Sequence, residues 1–298
     1  MNVLFLIGSD LYSYNMANEI CLHFAKHHLH ASFLVFKNES AFNPEKMLDE
    51  INELIFYERT LFSEVLLPYL NNHPNKGKYL SLEALAQQYG INYVRCSSID
   101  SKSASSFILK QVEAWNIDVT ISIRCIVKLD EQLINHFTRS NEHYLWNVHP
   151  GLLPQYRGIM PVFGAMFNQE AEHGITLLRV SAKLDAGTLI DSRTWPIDYS
   201  KSMMQNALDL IPAGVDLITS NVLRASKKEH LPTLIQNEAE KGFYSFPTAE
   251  ELKLFESRGM SLYSKEGLID VMKQNYLTEN QEEVLNNLRN YVRSTCSE

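Results

Sequence analysis

The sequence has little positive charge, and this shortage excludes a class of partners. Its 27 lysines and arginines are outnumbered by 35 aspartates and glutamates, giving a formal net charge of −8. Proteins that bind the phosphate backbone of DNA or RNA need clustered lysine and arginine, so the composition argues against nucleic acid as a partner.

Residue patterns that bind metals or form disulfides are also missing. The four cysteines show no C-x-x-C spacing: Cys21, Cys96, Cys125 and Cys296. The sequence therefore indicates neither a zinc site nor a disulfide framework. Four histidines are close in sequence, namely His23, His27, His28 and His30. They lack the fixed spacing of converging ligands, so we predict no bound metal.

Long apolar runs and a glycine-rich dinucleotide motif are absent as well. No run of 18 apolar residues occurs, and residues 1–7 are too few, and lack the preceding basic segment, for a signal peptide. We therefore expect a soluble, cytoplasmic protein that does not enter a membrane. The loop at residues 8–10 contains no G-x-G-x-x-G, so a nicotinamide cofactor is poorly supported.

The chain does contain a regular alternation of apolar and amphipathic segments. Apolar or β-branched runs predict strands at residues 2–7, 31–36, 91–95, 118–123, 144–148, 174–180 and 188–197. Helical spacing predicts helices at residues 13–28, 45–67, 81–89, 103–115, 129–137, 159–169 and 200–224. This alternation indicates an α/β protein with a doubly wound, mostly parallel sheet, whose ligands bind beyond the carboxyl ends of the strands.

Three polar residues stand out at a predicted strand end and a nearby turn. Pro150 biases His149 away from helix, so the strand at 144–148 should end close to Asn147 and His149. Side chains two residues apart on a strand share a face, so these two can converge. The turn at residues 183–187 places the carboxylate of Asp185 at its tip.

An amide, an imidazole and a carboxylate suit direct transfer of an acyl group to an amine. Asn147 can donate to the developing oxyanion, and His149 can donate or shuttle a proton. Asp185 can keep the imidazole protonated or relay the proton that the amine loses. The alternative is structural, because an Asn-x-His sequence before proline is often a turn that caps its own backbone.

The run NVHPGLLPQYRG at residues 147–158, followed by LDAG at 184–187, resembles the signature of the folate-dependent formyltransferases. This family includes glycinamide ribonucleotide, methionyl-tRNA and sugar-nucleotide amine formyltransferases. The resemblance places the family's catalytic trio at Asn147, His149 and Asp185, with a His-to-Asp separation of 185 − 149 = 36 residues. The sequence departs from the pattern at Gly151, where the family usually has serine.

The resemblance also implies a formyl donor and the residues around it. The donor would be 10-formyltetrahydrofolate, and residues expected near its pterin are Ile123, Arg124, Cys125, Ile126, Lys183 and Leu184. We expect Cys125 to be a packing residue and not a nucleophile, while Lys183 has a surface turn as its alternative. Expected substrate-binding residues are Ser9, Asp10, Tyr12, Asn15, Tyr156 and Arg157. For the first four, helix capping and loop solvation are equally good explanations, and Arg157 could pair with a phosphate.

The resemblance covers residues 1–231, which we predict to be the catalytic domain, and residues 232–298 form a helical extension. Within the extension, Thr248 and Glu251 predict a capping box that opens a helix to residue 257. Further helices are predicted at residues 267–276 and 279–292. The aromatic link at residues 242–247 is expected to pack on the main domain or on a second subunit, so a homodimer is left open, and a lid over the active site is a further alternative.

The extension also bears on the acceptor. In the region of this extension, full-length methionyl-tRNA formyltransferases carry a β-barrel domain with many basic residues. They therefore resemble this chain less in the extension than in the catalytic domain. Residues 239–298 contain seven lysines and arginines against ten aspartates and glutamates. We therefore expect a small-molecule amine as acceptor, with a nucleotide-linked amino sugar as one candidate. The alternatives are a 10-formyltetrahydrofolate hydrolase, a methionyl-tRNA formyltransferase and a non-catalytic folate-binding relative.

Overall fold

The computed structural model describes residues 1–37, 44–73, 77–96, 101–125, 127–138, 143–278, 284, 286–288 and 290. Ile126, Cys296 and most of the helix predicted at residues 279–292 lie outside these ranges. Within them, no helix combines the length and the apolar character needed to cross a membrane.

A seven-stranded sheet forms the centre of the molecule, in the order β3-β2-β1-β4-β5-β7-β8. Its strands are β1 (Asn2–Gly8), β2 (His30–Phe36), β3 (Asn92–Cys96), β4 (Val119–Ile123), β5 (Tyr144–His149), β7 (Glu172–Arg179) and β8 (Leu189–Pro196). The first five strands pair in parallel, and β7 and β8 are antiparallel to their neighbours. The predicted α/β fold with a mostly parallel sheet is confirmed.

Helices follow the strands much as their apolar spacing predicts. They are α1 (Leu11–Lys26), α2 (Asp49–Ile55), α3 (Leu67–Asn72), α4 (Leu82–Tyr89), α5 (Ser101–Ala114), α6 (Glu131–Thr138), α7 (Pro161–Phe167), α8 (Met203–Asp209), α9 (Ile211–Ser226), α10 (Ala249–Ser257) and α11 (Lys265–Tyr276). A π-helix, Phe56–Leu66, joins α2 to α3. The break predicted in the helix over 200–224 is observed between α8 and α9, where Pro212 lies in the first turn of the second helix.

Two helix starts differ from the prediction for identifiable reasons. Ser13 does not cap α1, because Asp10 lies at the N-cap and accepts the Ser13 N–H at 2.8 Å. The helix predicted to begin at residue 45 begins at Asp49, after a short 3-10 turn at Pro44–Lys46. In both cases the apolar spacing predicted the helix correctly. The first residue differs because Asp10 caps α1 and because a 3-10 turn precedes α2.

Both faces of the sheet are covered, and the C-terminal helices share the larger of the two cores. Phe255 of α10 and Met272 of α11 belong to the same buried cluster as Phe5 of β1. Tyr276 of α11 donates its hydroxyl to Asn15 Oδ1 of α1 at 2.8 Å, in a fully buried position. The capping box at Thr248 is confirmed by both of its hydrogen bonds. Residues 249–276 are therefore held to the sheet domain by apolar and polar contacts.

A second, two-stranded sheet joins the loop after β5 to the segment before α10. Strand β6 (Arg157–Gly158) pairs in parallel with β9 (Phe243–Tyr244). Further upstream, Leu234 forms an isolated antiparallel bridge with Leu189 at the start of β8. We call residues 234–244 the strap. The aromatic link thus packs on the main domain, which was one of the predicted alternatives.

His173 on β7 should make stability depend on pH. It is 2% exposed, neither ring nitrogen has a hydrogen-bond partner in the described structure, and burial lowers its pKa to about 4. The unfolded chain then binds the extra proton between about pH 6.5 and 4, so stability falls as pH drops through this window, by up to roughly 3 kcal/mol.

Urea unfolding at pH 7 and pH 5 measures the effect. His173→Leu should flatten the dependence, whereas the exposed His136→Gln should leave it in place; an unchanged slope in His173→Leu would refute the assignment.

Candidate active site

Asn147 and His149 lie at the carboxyl end of β5, at the centre of the large sheet. Asn147 is opposite Ser122 of β4 and Leu178 of β7, and it is half-buried. His149 is opposite Thr176 and is only 4% exposed. Strand alternation directs both side chains to one face, as the sequence predicts.

Both ring nitrogens of His149 face acceptors. Nε2 lies 2.6 Å from the main-chain oxygen of Tyr156, and Nδ1 lies 3.5 Å from Asp185 Oδ1. A carbonyl and a carboxylate accept hydrogen bonds but do not donate them. A neutral imidazole has one N–H and one nitrogen lone pair, so its lone pair would face one of these two acceptors. The Asp185 carboxylate, whose side chain is 5% exposed, therefore lies where it can pair with the imidazole.

Asp185 is held in an uncommon backbone conformation. Its φ of 51° is left-handed, and its Oδ2 accepts the main-chain N–H of Gly158 at 3.0 Å. Gly187 closes the turn in a place where a Cβ would lie 1.7 Å from the Arg179 oxygen, so no side chain fits there. The turn predicted to carry Asp185 thus brings its carboxylate to His149 across 36 residues of sequence.

Gly151, where the sequence departs from the family pattern, lies against His149. A Cβ at residue 151 would be 2.6 Å from Pro161 Cβ, 2.8 Å from the Tyr156 oxygen and 3.0 Å from His149 Nε2. The glycine allows the loop after β5 to close so tightly that Tyr156 can accept from the imidazole. Local sequence would not show this, because Pro161 and Tyr156 approach only in the folded chain.

Gly151→Ser should destabilise the fold. The new Cβ overpacks a site bounded by backbone and by Pro161, which typically costs about 1–3 kcal/mol. Denaturant unfolding measures the loss, and Gly151→Ala is the informative companion because it adds the same Cβ without a hydroxyl. Similar losses in both variants would identify the Cβ as the cause, whereas an unchanged Gly151→Ala would show that the loop relaxes at little cost.

The residues expected near a folate lie on two sides of the trio. Ile123 is buried at the end of β4, and Arg124 follows it with a φ of 50°. Arg124 turns towards α1, forming an ion pair with Glu58 and lying 5.2 Å from the centre of the Tyr12 ring. Burial works to lower the pKa of Arg124, but the carboxylates of Glu58 and Asp10 outweigh it and the pKa is raised. The guanidinium is therefore charged and fixed in place.

The remaining predicted folate residues differ in exposure. Burial raises the pKa of Cys125 to about 12, so its thiol stays protonated and is a poor nucleophile. Lys183 is exposed, and Leu184 is 65% exposed directly before Asp185. An apolar side chain presented to solvent beside the trio suits a flat aromatic ring. Ile126 is not among the described residues.

The four candidate substrate residues of the first loop are mostly enclosed. Ser9 is half-buried, while Asp10, Tyr12 and Asn15 are at most 3% exposed. Asp10 caps α1 and Asn15 accepts from Tyr276, which agrees with the capping alternative for Asp10. Burial raises the pKa of the Tyr12 hydroxyl above its ordinary range. Substrate contact by these residues remains a prediction.

The other two candidates, Tyr156 and Arg157, are buried in the loop after β5. The Tyr156 hydroxyl donates to Glu170 Oε1 at 2.6 Å. Arg157 is 6% exposed and donates to Gln236 Oε1 and to Glu238 Oε1. The hydrogen bond from Arg157 lowers the pKa of Glu238 to about 2, and the hydrogen bond from Lys241 is the second-largest cause. Nε and Nη2 of Arg157 are thus occupied by protein oxygens, so a phosphate could use these two donors only by displacing them.

Two residues of this region carried no recognisable signal in the sequence. Glu58 lies in the π-helix and pairs with Arg124, 66 residues later in the chain. Gln236 lies in a segment without helix or strand periodicity and contacts the Asp185 turn. Within the described ranges, no three His, Cys, Asp or Glu side chains come together as a metal site would require.

Comparison with known proteins identifies similar chains. Residues 73–209 match the family model of formyl transferases. A methionyl-tRNA formyltransferase from Roseiflexus sp. strain RS-1 is 37% identical over 76 residues, 26% of this chain and 23% of that protein. One from Thermotoga neapolitana is 29% identical over 137 residues, 46% of this chain and 41% of that protein. The chain thus spans less than half the length of these curated relatives.

A solved structure shows the same fold. Phosphoribosylglycinamide formyltransferase from Anaplasma phagocytophilum superposes with a TM-score of 0.54 at 17% identity, covering 82% of this chain and 99% of that one. At this identity the likeness concerns the fold alone. The family match over residues 73–209 confirms the resemblance to formyltransferases that residues 147–158 and 184–187 predicted.

Proposed function

We propose that this protein transfers a formyl group from 10-formyltetrahydrofolate to a primary amine of a small-molecule acceptor. The observation that carries the proposal is the meeting of Asn147, His149 and Asp185 at the carboxyl end of β5, within the stretch that matches formyl transferases. An amide donor, an imidazole and a carboxylate are the groups that acyl transfer to an amine requires.

The folate donor supplies an activated formyl carbon; a new C–N bond to the amine forms as the bond to the folate nitrogen breaks, and that nitrogen takes up a proton. Asn147 can donate an N–H to the formyl oxygen as it gains negative charge. Nε2 of His149 lies at hydrogen-bonding distance from a carbonyl and Nδ1 faces Asp185, so the ring, when protonated, would act first through its charge. Asp185 keeps that charge in place and can receive the proton that the amine loses.

Two exposed apolar side chains support the folate part of the proposal. Leu184 is 65% and Ile159 is 50% exposed, and they are the sequence neighbours of Asp185 and Gly158, which are joined by a hydrogen bond. Apolar side chains next to a buried polar group provide both the area and the orienting contacts that a heteroaromatic ligand uses. The main chain of Ile123 and Arg124 would face the ligand from the end of β4.

For the acceptor, we propose an amino group on a small molecule, such as a nucleotide-linked amino sugar. This is supported by the net charge of −8 and by α10 and α11, which occupy the C-terminal region and pack into the main core. A methionyl-tRNA acceptor is the second candidate, because the curated relatives carry that name. The two acceptors differ in charge and size and can be separated experimentally.

An absorbance assay of tetrahydrofolate release tests the proposal. The full chain is incubated with 10-formyltetrahydrofolate and a panel containing nucleotide-linked amino sugars, small amines and charged initiator tRNA. Release that requires a small amine supports the proposed function. Release with tRNA alone identifies the second acceptor, and release without any amine identifies a hydrolase. Folate binding without release under every condition would show a non-catalytic protein.

A further inference from the structure

We infer that Gln236, in the strap, is a positioning residue that holds the Asp185 turn against His149. The inference rests on the proposed function for its kinetic readout, but its geometric basis is independent. Gln236 is 6% exposed, although the residues on either side, Ile235 and Asn237, are exposed. A single buried amide in an otherwise exposed segment requires polar partners.

The Gln236 side chain uses its full hydrogen-bonding capacity. Its Nε2 donates to the main-chain oxygens of Asp185 and Gly187, each at 2.7 Å. Its Oε1 accepts from Arg157 Nε at 3.0 Å and Nη2 at 2.7 Å. Two N–H groups and two lone pairs are all that a primary amide has.

These partners also fix which way the amide points. Main-chain oxygens can only accept, and a guanidinium can only donate, so exchanging the oxygen and nitrogen of Gln236 would break all four bonds. The orientation is therefore enforced, and the two donors are directed at the turn. This matters because Asp185 has a φ of 51°, a left-handed conformation that is strained for a non-glycine residue and needs support from its surroundings.

The strap supports the other side of the catalytic pair as well. Gly158, whose N–H binds Asp185 Oδ2, pairs with Tyr244 in the short sheet of β6 and β9. Arg157 donates its main-chain N–H to the Gly242 oxygen at 3.2 Å. Tyr156, whose oxygen accepts from His149, stacks on Tyr244 with ring centres 5.3 Å apart. Both groups that orient the imidazole are therefore attached to residues 234–244.

Gln236 is the point where the strap reaches the Asp185 main chain directly. Without its two N–H groups, the oxygens of Asp185 and Gly187 would lose a buried donor, and the turn could move away from His149. The Nδ1 to Oδ1 distance is already 3.5 Å, so a further shift would weaken the pair. Displacement of a reacting group by about 1 Å can lower turnover by a factor of about 100.

The test compares Gln236→Glu with Gln236→Met, and uses Gln132→Glu on the exposed face of α6 as the matched control. Glu keeps an oxygen for Arg157 but turns a second oxygen towards the two carbonyls. Met removes both functions at similar length. At pH 7.5, well below each variant's melting temperature, both Gln236 variants should lose on the order of 10- to 100-fold in kcat, with KM for the folate donor changed only a few-fold.

A second readout does not depend on activity. In ¹⁵N-histidine-labelled protein, the His149 ring signals, assigned by their loss in His149→Gln, should shift in both Gln236 variants and stay in place in Gln132→Glu. Wild-type kcat in Gln236→Glu would show that Gln236 serves only Arg157 and would overturn the inference. Unshifted His149 signals in both Gln236 variants would overturn it too. If the wild-type protein transfers no formyl group, the proposed function fails, and the His149 signals alone decide the positioning role.

Discussion

Asp185→Asn should lower formyl transfer by about 10²- to 10⁴-fold, the usual contribution of a positioned acid or base. Asparagine has the same shape and can still accept the Gly158 N–H with its oxygen. It removes the negative charge 3.5 Å from His149 Nδ1 and turns an N–H towards that nitrogen. The imidazole would then lose the carboxylate that stabilises its charged form.

Steady-state kinetics with a fixed acceptor measures this effect, and it should appear mainly in kcat. Asp270→Asn provides the matched control, because Asp270 is an exposed carboxylate paired with Lys273 on α11. The control should retain wild-type turnover. If Asp185→Asn kept turnover within a few-fold of wild type, the carboxylate would not be part of the chemistry.

Asn147→Ala should lower turnover by about 10²- to 10³-fold, the typical cost of removing one oxyanion donor. Because both nitrogens of His149 face protein acceptors, Asn147 is the member of the trio that the proposed function assigns as donor to the formyl oxygen. The half-buried side chain lies at a strand end, so the fold should tolerate its loss.

Asn147→Asp sharpens this test, because a carboxylate of the same shape would repel the oxyanion. It should be at least as impaired as Asn147→Ala. Asn135→Ala on the exposed face of α6 is the control and should behave as wild type. Near-normal turnover in Asn147→Asp would be incompatible with an oxyanion contact by this residue.

Local rules predicted much of this fold. The buried strand β1 is a continuous apolar run, Gly90 ends α4 with a φ of 63°, and Thr248 opens α10 with a capping box. Pro212 separates two helices where a single one would otherwise continue. Each of these features depends on a few neighbouring residues, which is why the sequence alone suffices.

Some features of the candidate site are also local in sequence, whereas others depend on the folded chain. Asn147 and His149 share a face because of strand alternation, which is a local property. The approach of Asp185 to His149 was predicted from the turn at residues 183–187, from the chemistry of the three groups and from the resemblance to formyltransferases, since 36 residues separate the two side chains. Its distance and its bond to Gly158 required the folded structure.

The partners of buried charges could not be predicted from the sequence. Arg157 was a candidate for phosphate binding, yet its Nε and Nη2 donate to Gln236 and Glu238, about 80 residues away. Arg124 forms an ion pair with Glu58, which lies in the π-helix. Such pairs are set by how separate segments pack, and neither composition nor periodicity records that packing.

Transfer of a labelled formyl group tests the central claim most directly. The full chain would be incubated with 10-[¹³C]formyltetrahydrofolate and the amine that supports release, and the products would be identified by mass spectrometry. We predict the label in an N-formyl amide of the acceptor, with formate at the level of an enzyme-free control. Label recovered only as formate, or a folate donor that binds and is returned unchanged with every amine, would contradict the account.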